Sequence, residues 1–457
     1  MEGLEISIVP FSYVLEKSDI CRFDSFFYSK NFLYEENLIE KHSNKSLKEL
    51  NAKLLSFGAY SLNNLVEYKN TGIPFIRGVN MKNGILDFSD VIYIDDFAHK
   101  LLWKSEVKPE MILLSMSGTI GDVAIAMPQF KYPMNSNQDI AKIDLRNCNI
   151  NPYFVYAYLC SQYGQNFLKR EARGSVQQHV FLSQIENLSI PIFPDTFQSK
   201  IESIVKSAHA KLEESKSLYS QAEDLLLGEL GLKDWQPKNT LHTTKKFSDF
   251  AQSGRLDAEY YQPKYDDLFE KLSCLNCKRL GKIVSIKKSF DPGSDAYQET
   301  GIPFIRVSDI SKDGIEKTEL HLSPIDFDIP ELKPKKDTIL FSKDGSIGIA
   351  YKVQSDLNVF TSGALLHLVT TDSSILPDYL TLVLNSVVVK LQAERDSNGA
   401  IIQHWKPSDI ENVIIPILPE AIQTKIASLI QQSFECKAQS KQLLEDAKRM
   451  VEEEIEK

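Results

Sequence analysis

Few residues of this 457-residue chain have the types and spacing needed at a metal or redox site. Cys274 and Cys277 form the only Cys-x-x-Cys segment, a spacing that can hold a metal ion or a redox disulfide. No second cysteine pair and no histidine at zinc spacing accompanies it. The phosphate-binding Gly-x-x-x-x-Gly-Lys-[Ser/Thr] loop and the His-Glu-x-x-His motif are missing too. The chain therefore lacks the motifs of common catalysts, and we expect no metal ion and no bound cofactor in it.

A second candidate is the sequence Asn-Pro-Tyr-Phe at positions 151–154. It resembles the Asn-Pro-Pro-Tyr/Phe loop with which amino-methyltransferases hold a target amine, but it is one proline short. The corresponding Leu-Pro-Asp-Tyr at positions 376–379 keeps the proline and an aromatic residue and lacks the asparagine. Proline is favoured at the first position of a helix. Both segments therefore predict helix starts.

Two loops carry side chains suited to nucleic acid, at positions 174–179 and 399–404, and each ends in Gln-His. Glutamine can pair with adenine through two hydrogen bonds, and arginine can pair with guanine or phosphate. We predict DNA contacts from the two glutamines and from arginines of the charged helix ends before them, namely Gln178, Gln403, Arg173 and Arg395. A hydrogen-bonded corner beneath the site is an equally good explanation of the Gln-His pairs, and it is favoured for His179 and His404.

Polar residues also surround two Gly-[Thr/Ser]-Ile-Gly segments, at positions 118–121 and 345–348. Two glycines three residues apart permit a tight turn and close approach of the backbone to a partner. A plain hairpin explains them as well. The candidate DNA contacts here are Ser115, Ser117 and Lys343, and the arginines that close two Gly-Ile-Pro-Phe-Ile-Arg segments, Arg77 and Arg306, complete the set.

These candidates come in pairs because the sequence contains an internal duplication. The heptapeptide Thr-Gly-Ile-Pro-Phe-Ile-Arg at positions 71–77 recurs unchanged at 300–306. Further matches follow in the same order: Arg-x-Asp at 22–24 and 255–257, the Gly-x-Ile-Gly segments, the Gln-His loops and two Ile-Glu-Asn segments. Solenoid repeats are roughly 20 to 50 residues long, so these much longer copies are whole domains. A shared frame with divergent residues between the matches suggests one task performed on two different targets.

Each copy predicts a mainly β domain followed by a long helix. Short β-type runs such as 73–76, 91–94 and 111–114 alternate with the turn signals Asn83-Gly84 and Asp313-Gly314. Long helices start after prolines, near Asp195 and Glu420. Their apolar residues recur about every 3.5 positions, which favours helices that pack lengthwise on each other, although each could instead pack on its own domain. The stripes include Ile201, Leu212, Leu226, Ile426, Leu444 and Val451.

The composition excludes several classes of protein. A net charge of −10 argues against coating nucleic acid by bulk charge, while it leaves room for local basic faces. No apolar run approaches the roughly 20 residues that span a bilayer, so we expect a cytoplasmic protein without a membrane partner. Six cysteines are too sparse for a disulfide scaffold.

Taken in order, the duplicated Gly-Ile-Pro-Phe-Ile-Arg segments, the Gly-x-Ile-Gly turns and the Ile-Pro-Ile-[Phe/Leu]-Pro entries to long helices resemble the DNA specificity subunit of type I restriction-modification systems. The resemblance covers nearly the whole chain. It implies an α+β protein with a pseudo-twofold internal repeat: recognition domains at 1–190 and 233–416, joined by antiparallel coiled-coil helices at 191–232 and 417–457. The family usually has a Glu-Gln pair after the prolines, whereas only the glutamines Gln198 and Gln423 are kept here.

The resemblance also implies the partners. Each recognition domain would read one half of a bipartite site in double-stranded DNA, and the helices would dock two modification (methyltransferase) subunits. S-adenosylmethionine would bind the modification partner, and cleavage would belong to a restriction subunit if one is present. A self-contained DNA methyltransferase and a non-catalytic protein scaffold are the alternatives. A titration of the chain with S-adenosylmethionine distinguishes a methyltransferase from a specificity subunit. A gel shift with DNA in the presence of the modification subunit distinguishes a scaffold from a specificity subunit.

Overall fold

The computed structural model describes residues 6–17, 22–56, 66–174, 178–238, 240, 242–327, 329–397, 399 and 403–457. The chain divides into two compact units. Unit 1 consists of Met1–Lys211 and Ala438–Lys457, and unit 2 of Leu212–Lys437. Each long helix therefore contributes one part to each unit.

Unit 1 contains short strands and helices. Its helices are α1 (Phe11–Lys17), α2 (Lys30–Glu40), α3 (Asp96–Leu101), α4 (Pro152–Cys160), α5 (Gln162–Glu171), α6 (Leu182–Ile185) and the first part of α7 (Asp195–Glu229). Its strands are β1 (Asn44–Ser46), β2 (Lys53–Leu55), β3 (Ile73–Ile76), β4 (Met81–Lys82), β5 (Ile85–Leu86), β6 (Ile92–Ile94), β7 (Glu106–Val107), β8 (Ile112–Ser115), β9 (Val123–Ile125), β10 (Met134–Ser136), β11 (Ile140–Asp144) and β12 (Ser189–Pro191).

Two four-stranded sheets organise this unit, in the orders β2-β11-β8-β9 and β6-β3-β10-β7. The second sheet includes one parallel pair, β3 with β10. Strands β4 and β5 form the predicted hairpin, in which Asn83 and Gly84 have φ of 51° and 84°. Positive φ at both central positions is the reason that Asn-Gly is favoured in such turns.

Unit 2 has a similar order of elements, although its described residues include no counterpart of α3 or β7. Its helices are α8 (Phe247–Ser253), α9 (Pro263–Ser273), α10 (Pro377–Asn385), α11 (Val387–Asp396), α12 (Pro407–Ile410) and the first part of α13 (Glu420–Ile455). Its strands are β13 (Cys277–Arg279), β14 (Val284–Lys288), β15 (Tyr297–Gln298), β16 (Ile302–Ile305), β17 (Ile310–Ser311), β18 (Gly314–Ile315), β19 (His321–Leu322), β20 (Ile339–Ser342), β21 (Ala350–Lys352), β22 (Phe360–Thr361), β23 (Leu365–Thr370) and β24 (Ile414–Pro416).

The sheets of unit 2 correspond to those of unit 1. The sheet β14-β23-β20-β21 matches β2-β11-β8-β9, and β15-β19-β16-β22 again contains one parallel pair, β16 with β22. The duplication read from the sequence is therefore a duplication of structure, and the α+β class with an internal repeat is confirmed. The strands are only two to six residues long, and buried helices such as α4 and α10 supply much of each core.

The long helices begin at Asp195 and Glu420, as predicted from the prolines before them, and end at Glu229 and Ile455, inside the predicted ranges 191–232 and 417–457. In unit 1, Ile201 and Val205 of α7 share a core with Leu444 and Val451 of α13. In unit 2, Leu226 of α7 shares a core with Ile426 and Ile430 of α13. Ser433 also donates a hydrogen bond to the carbonyl oxygen of Ser215 at 2.8 Å. Within each unit, the apolar stripes of the two helices therefore contribute to one core.

The retained glutamines attach the long helices to the domains. The Gln198 side chain accepts a hydrogen bond from the Asn151 backbone at 2.9 Å and donates one to the Phe193 carbonyl at 2.8 Å. Gln423 accepts one from the Leu376 backbone at 3.1 Å. Both side chains are buried. They fix the entry of each long helix to the start of α4 or α10, so they are unavailable to a partner.

Candidate nucleic-acid interface

An open cleft in unit 2 is bordered by Asp291 and by residues of three further segments. Arg306 follows β16, Asp344 and Gly345 follow β20, and Ser362 follows β22. The Arg306 side chain is half exposed, with its Nε 3.6 Å from a carboxylate oxygen of Asp309. An arginine with this exposure can reach a base edge or a phosphate. Arg306 therefore lies at the edge of an open cleft, where a ligand can reach its guanidinium.

A chain of charged groups lies beside this cleft. Asp344 pairs with the Nζ of Lys343 and, at 2.8 Å, with Nδ1 of His404. Burial acts to raise the pKa of Asp344, but the hydrogen bonds from Lys343 and His404 outweigh burial and hold the pKa below its usual range. Asp344 is therefore an ionised acceptor that orients the lysine and the histidine.

The Gly-Ser-Ile-Gly turn and the Gln-His loop lie side by side in unit 2. The backbone N–H of Gly345 donates to the carbonyl of Gln403 at 2.9 Å, and Trp405 donates to the carbonyl of Lys343 at 2.8 Å. Gly345 and Gly348 have φ of 72° and 81°, values that side chains with a Cβ rarely adopt. The turn thus uses both glycines, and the predicted sites Arg306, Lys343 and Gln403 converge on one part of unit 2.

Unit 1 has the same arrangement with different side chains. Ser117 forms a β-bridge with His179, and Val180 donates to the carbonyl of Met116 at 2.9 Å. Ser115 is buried, and its hydroxyl donates to the carbonyl of Ser117 at 2.9 Å. Ser115 therefore braces the turn and is shielded from solvent, whereas Ser117 lies on the partly exposed loop.

Arg77 is held more tightly than Arg306. Its Nη2 donates to the carbonyl of Asp90 at 2.9 Å and lies 3.5 Å from the Asp90 carboxylate. Among the described residues, the buried Nε of Arg77 and Oδ1 of Asn137 have no hydrogen-bond partner. These two polar groups lie at the positions that correspond to Arg306 and Ser362.

The remaining predicted contacts divide into exposed and buried residues. Gln178 and Gln403 are exposed. Arg173 pairs through its backbone with His179, and its Nε is buried. Arg395 is bound to Asp396 at 2.8 Å, and its guanidinium lies 4.5 Å from the centre of the Phe269 ring. The internal contacts of Arg395 leave less of this side chain for phosphate. Positions 175–177 and 400–402 lie outside the described residues.

Sequence reasoning missed three groups at this interface, Asp344, Asn137 and Ser362. Their signal was the offset between the copies: a shift of 227 places Asp344 opposite Ser117, and one of 225 places Ser362 opposite Asn137. At each of these two positions, both copies have a polar residue, but the residue type differs between them.

The residues predicted on the helix stripes are mostly internal. Ile201, Leu226, Ile426, Leu444 and Val451 are buried within their units, and Leu212 is half-buried. Five of these six side chains therefore pack inside their units and present no surface to a partner.

The two catalytic candidates have structural explanations. Asn151 caps α4, accepting a hydrogen bond from the backbone of Tyr153 at 2.9 Å and donating one to Glu202 at 2.6 Å, so the predicted helix start is confirmed. Cys274 and Cys277 are free thiols. Across the part of the chain that the structure describes, no cluster of three or more His, Cys, Asp or Glu side chains could hold a metal ion. Over those same residues, the helices are too short or too polar to cross a membrane.

Comparison with known proteins identifies the family. The sequence profile of the type I restriction modification DNA specificity domain matches residues 40–222 and again 276–449. The chain therefore belongs to this family, with one match in each half. It is a DNA-binding specificity subunit, without catalytic activity of its own.

Several relatives span most of the chain. The type I restriction enzyme MjaIX specificity subunit of Methanocaldococcus jannaschii is 26% identical over 392 residues, covering 81% of this chain and 82% of the relative. The EcoBI specificity subunit of Escherichia coli is 21% identical over 383 residues, covering 80% and 74%. A crystal structure of the S subunit from M. genitalium is 15% identical, covers 91% of this chain and 95% of the other, and has a TM-score of 0.42.

Proposed function

We propose that each unit reads one half of a bipartite DNA site, and that the open cleft at the end of β16, with its equivalent after β3, is the reading surface. Arg306 would contact guanine or phosphate, and Gln403 would contact adenine. Arg77, Ser117 and Gln178 would act at the equivalent positions of unit 1.

One observation carries this proposal: the two units share a frame but differ in the side chains that it presents. Met116 and Ser117 of unit 1 stand where unit 2 has Lys343 and Asp344. If both units bound the same DNA sequence, we would expect these side chains to be alike in the two copies. Because side chains read base edges and the backbone positions them, the two half-sites should differ in sequence.

The charge balance supports a requirement for partners in tight binding. The chain has a net charge of −10, and cations at both proposed reading surfaces are paired, Lys343 with Asp344 in unit 2 and Arg77 with Asp90 in unit 1. Duplex binding depends on neutralising phosphates with lysine and arginine. We infer that specific binding develops when two modification subunits add their own surfaces to the complex.

The long helices would dock these modification subunits and set the distance between the half-sites. Helices of 35 and 36 residues extend about 50 Å at 1.5 Å per residue. At about 3.4 Å per base pair, they would separate the half-sites by roughly 10 to 15 base pairs. S-adenosylmethionine would bind the modification partner, which carries out methyl transfer, and restriction subunits would join the same complex.

A domain exchange tests this function. Residues 22–190 would be replaced by the matching domain of a relative with a different target, and methylated bases would be mapped in a host that supplies the modification subunit. We expect one half-site to change while the other half-site and the spacer length remain. A change in both half-sites, or methylation that does not depend on this chain, would contradict the proposal.

A further inference from the structure

A repeated structure at the start of each unit presents an apolar side chain to solvent. In unit 1, Nε of Arg22 donates to the carboxylate of Asp24 at 2.7 Å. In unit 2, Nε of Arg255 donates to Asp257 at 2.6 Å. We call each of these Arg-x-Asp segments a clasp. The residue between the bonded Arg and Asp is Phe23 in unit 1 and Leu256 in unit 2.

That middle residue is large, apolar and exposed in both units. Phe23 is 73% exposed and Leu256 is 82% exposed. Single exposed apolar residues are common on protein surfaces. Here, however, both copies place one at the same position of the same hydrogen-bonded structure. The clasp therefore has an outward side that was kept apolar when the two copies diverged.

Each clasp has a short helix packed beside it. Tyr13 of α1 contacts Tyr28 with ring centres 6.3 Å apart, and Phe250 of α8 contacts Tyr261 at 4.9 Å. Tyr28 and Tyr261 in turn donate to the carbonyls of the clasp arginines at 2.8 Å. The helices add further exposed aromatic residues, Phe11 and Phe247. Phe11 also stacks on Phe23, with ring centres 6.4 Å apart.

The charges around this surface favour a protein as its partner. A DNA surface offers cations to phosphates, but both clasp arginines are bound to aspartates. Lys17, at the end of α1, pairs with Glu36 at 2.7 Å, and Lys245, just before α8, pairs with Asp266 at 2.5 Å. Four large apolar side chains remain exposed, Phe11, Phe23, Phe247 and Leu256, and the exposed Lys246 and Asp257 lie next to the last two in sequence. Aromatic residues are enriched in the buried centres of protein interfaces.

We propose that the Phe23 and Leu256 surfaces are two equivalent docking points, each for one copy of the modification subunit. A surface repeated in both units fits a partner that is present twice, and this inference rests on the proposed docking of two such subunits. The matching surface on the partner would be an apolar pocket. Docking here would hold each modification subunit at the clasp, in addition to any contact along the long helices.

The test measures how many modification subunits bind one full-length chain. Phe23→Glu, Leu256→Glu and the double variant would each be mixed with excess modification subunit and analysed by sedimentation velocity. Ile325→Glu is the matched control, because Ile325 is 91% exposed and lies outside both clasps. We expect two subunits bound to the wild type and the control, with binding at one point weakened roughly tenfold or more in each single variant. The double variant should bind neither subunit tightly.

Different results distinguish the two levels of the proposal. Two tightly bound subunits on the double variant would overturn the docking points and leave the proposed function intact. A wild-type chain that binds no modification subunit would overturn both. Weaker DNA binding by the Phe23→Glu complex, with two subunits still bound, would assign the surface to DNA and also overturn the inference. The conservative exchanges Phe23→Leu and Leu256→Phe should retain binding, and circular dichroism checks that every variant is folded.

Discussion

The guanidinium carbon of Arg170 lies 4.2 Å from the centre of the Phe27 ring. Arg22 covers the same ring at 4.6 Å, so the aromatic ring contacts two guanidinium groups. Unit 2 repeats the arrangement, with Arg255 and Arg395 each 4.9 Å from the centre of the Tyr260 ring. Cation–π contacts of this kind contribute most where the groups are desolvated. These contacts join the Arg-x-Asp segment of each unit to the C-terminal end of a helix, α5 in unit 1 and α11 in unit 2.

We predict that Arg170→Ala lowers the free energy of unfolding by about 2 to 4 kcal/mol, because removing one partner of a buried ion pair leaves the other uncompensated. The Arg170 side chain is only 8% exposed and pairs with Glu36 at 2.9 Å. Lys17 still contacts Glu36 at 2.7 Å, which moderates the loss. Urea denaturation measures the change. Arg449→Ala, at an exposed ion pair on α13, should cost less than about 1 kcal/mol.

Arg395→Ala tests whether that arginine serves the fold or the DNA. Its contacts with Asp396, Tyr260 and Phe269 predict a loss of stability of about 1 to 2 kcal/mol. A variant with wild-type stability in urea and a reduced salt dependence of DNA binding would instead support the phosphate contact predicted from the sequence.

A buried lysine makes unit 1 sensitive to pH. Lys142 donates to the Ser136 hydroxyl at 2.9 Å and to the Ile140 carbonyl at 3.2 Å. Burial lowers its pKa from 10.5 to about 7. Between these values the unfolded chain binds the proton more tightly than the folded chain, so the free energy of unfolding rises with pH. From pH 7 to pH 10 we expect the wild type to gain roughly 3 kcal/mol relative to Lys142→Met. Urea denaturation across this range that gave parallel curves would contradict this assignment.

The equivalent position of unit 2 predicts a different pH range. His367 stands opposite Lys142 at an offset of 225, and its Nε2 lies 2.8 Å from the Thr361 hydroxyl. Burial lowers the pKa of His367 from 6.5 to about 4. As the pH falls through this range, the unfolded chain takes up the proton first and the free energy of unfolding decreases. His367→Leu should remove about 2 kcal/mol of this decrease, measured as the difference between the denaturation midpoints at pH 6.5 and pH 4.5.

For the reading surface, we predict that Arg306→Ala in the assembled complex relaxes specificity at one position of one half-site. A bidentate arginine contact is worth about 1 to 3 kcal/mol of discrimination. Sequencing methylated sites would show several bases accepted at that position, with the other half-site unchanged. Lys335→Ala removes an exposed cation that pairs with Asp356, and it serves as a control that should leave the methylated sequence as it was. A uniform loss across all sites in Arg306→Ala would indicate a phosphate contact.

The sequence predicted most of the frame because the decisive signals are local. The Asn83-Gly84 turn, strand β3 and the starts of α7 and α13 each depend on a few neighbouring residues, and all were predicted correctly. The internal repeat then extended these predictions from one half to the other.

The interface was predicted only in part because its contacts join distant positions. The pairing of Asp344 with His404 spans 60 residues, and no local pattern reveals it. The sequence also grouped Arg395 with Arg173, whereas the shared contact with an aromatic ring equates Arg395 with Arg170. The offset of 225 between the two Gln-His loops places Arg395 opposite Arg170 as well, so the sequence already contained this equivalence.

The final prediction concerns the distance between the half-sites. If α7 and α13 set it, then seven residues inserted before Ser215 and seven before Ser433, which contact each other, should lengthen the pair by about 10 Å while keeping the apolar stripes in phase. The unread spacer should grow by about three base pairs, with both half-sites unchanged, as read from methylated sites in the host. The same seven residues inserted after the exposed Ile325 should leave the spacer as it is. An altered half-site in the helix variant, or an unaltered spacer, would mean that reading and spacing do not reside in separate parts of this chain.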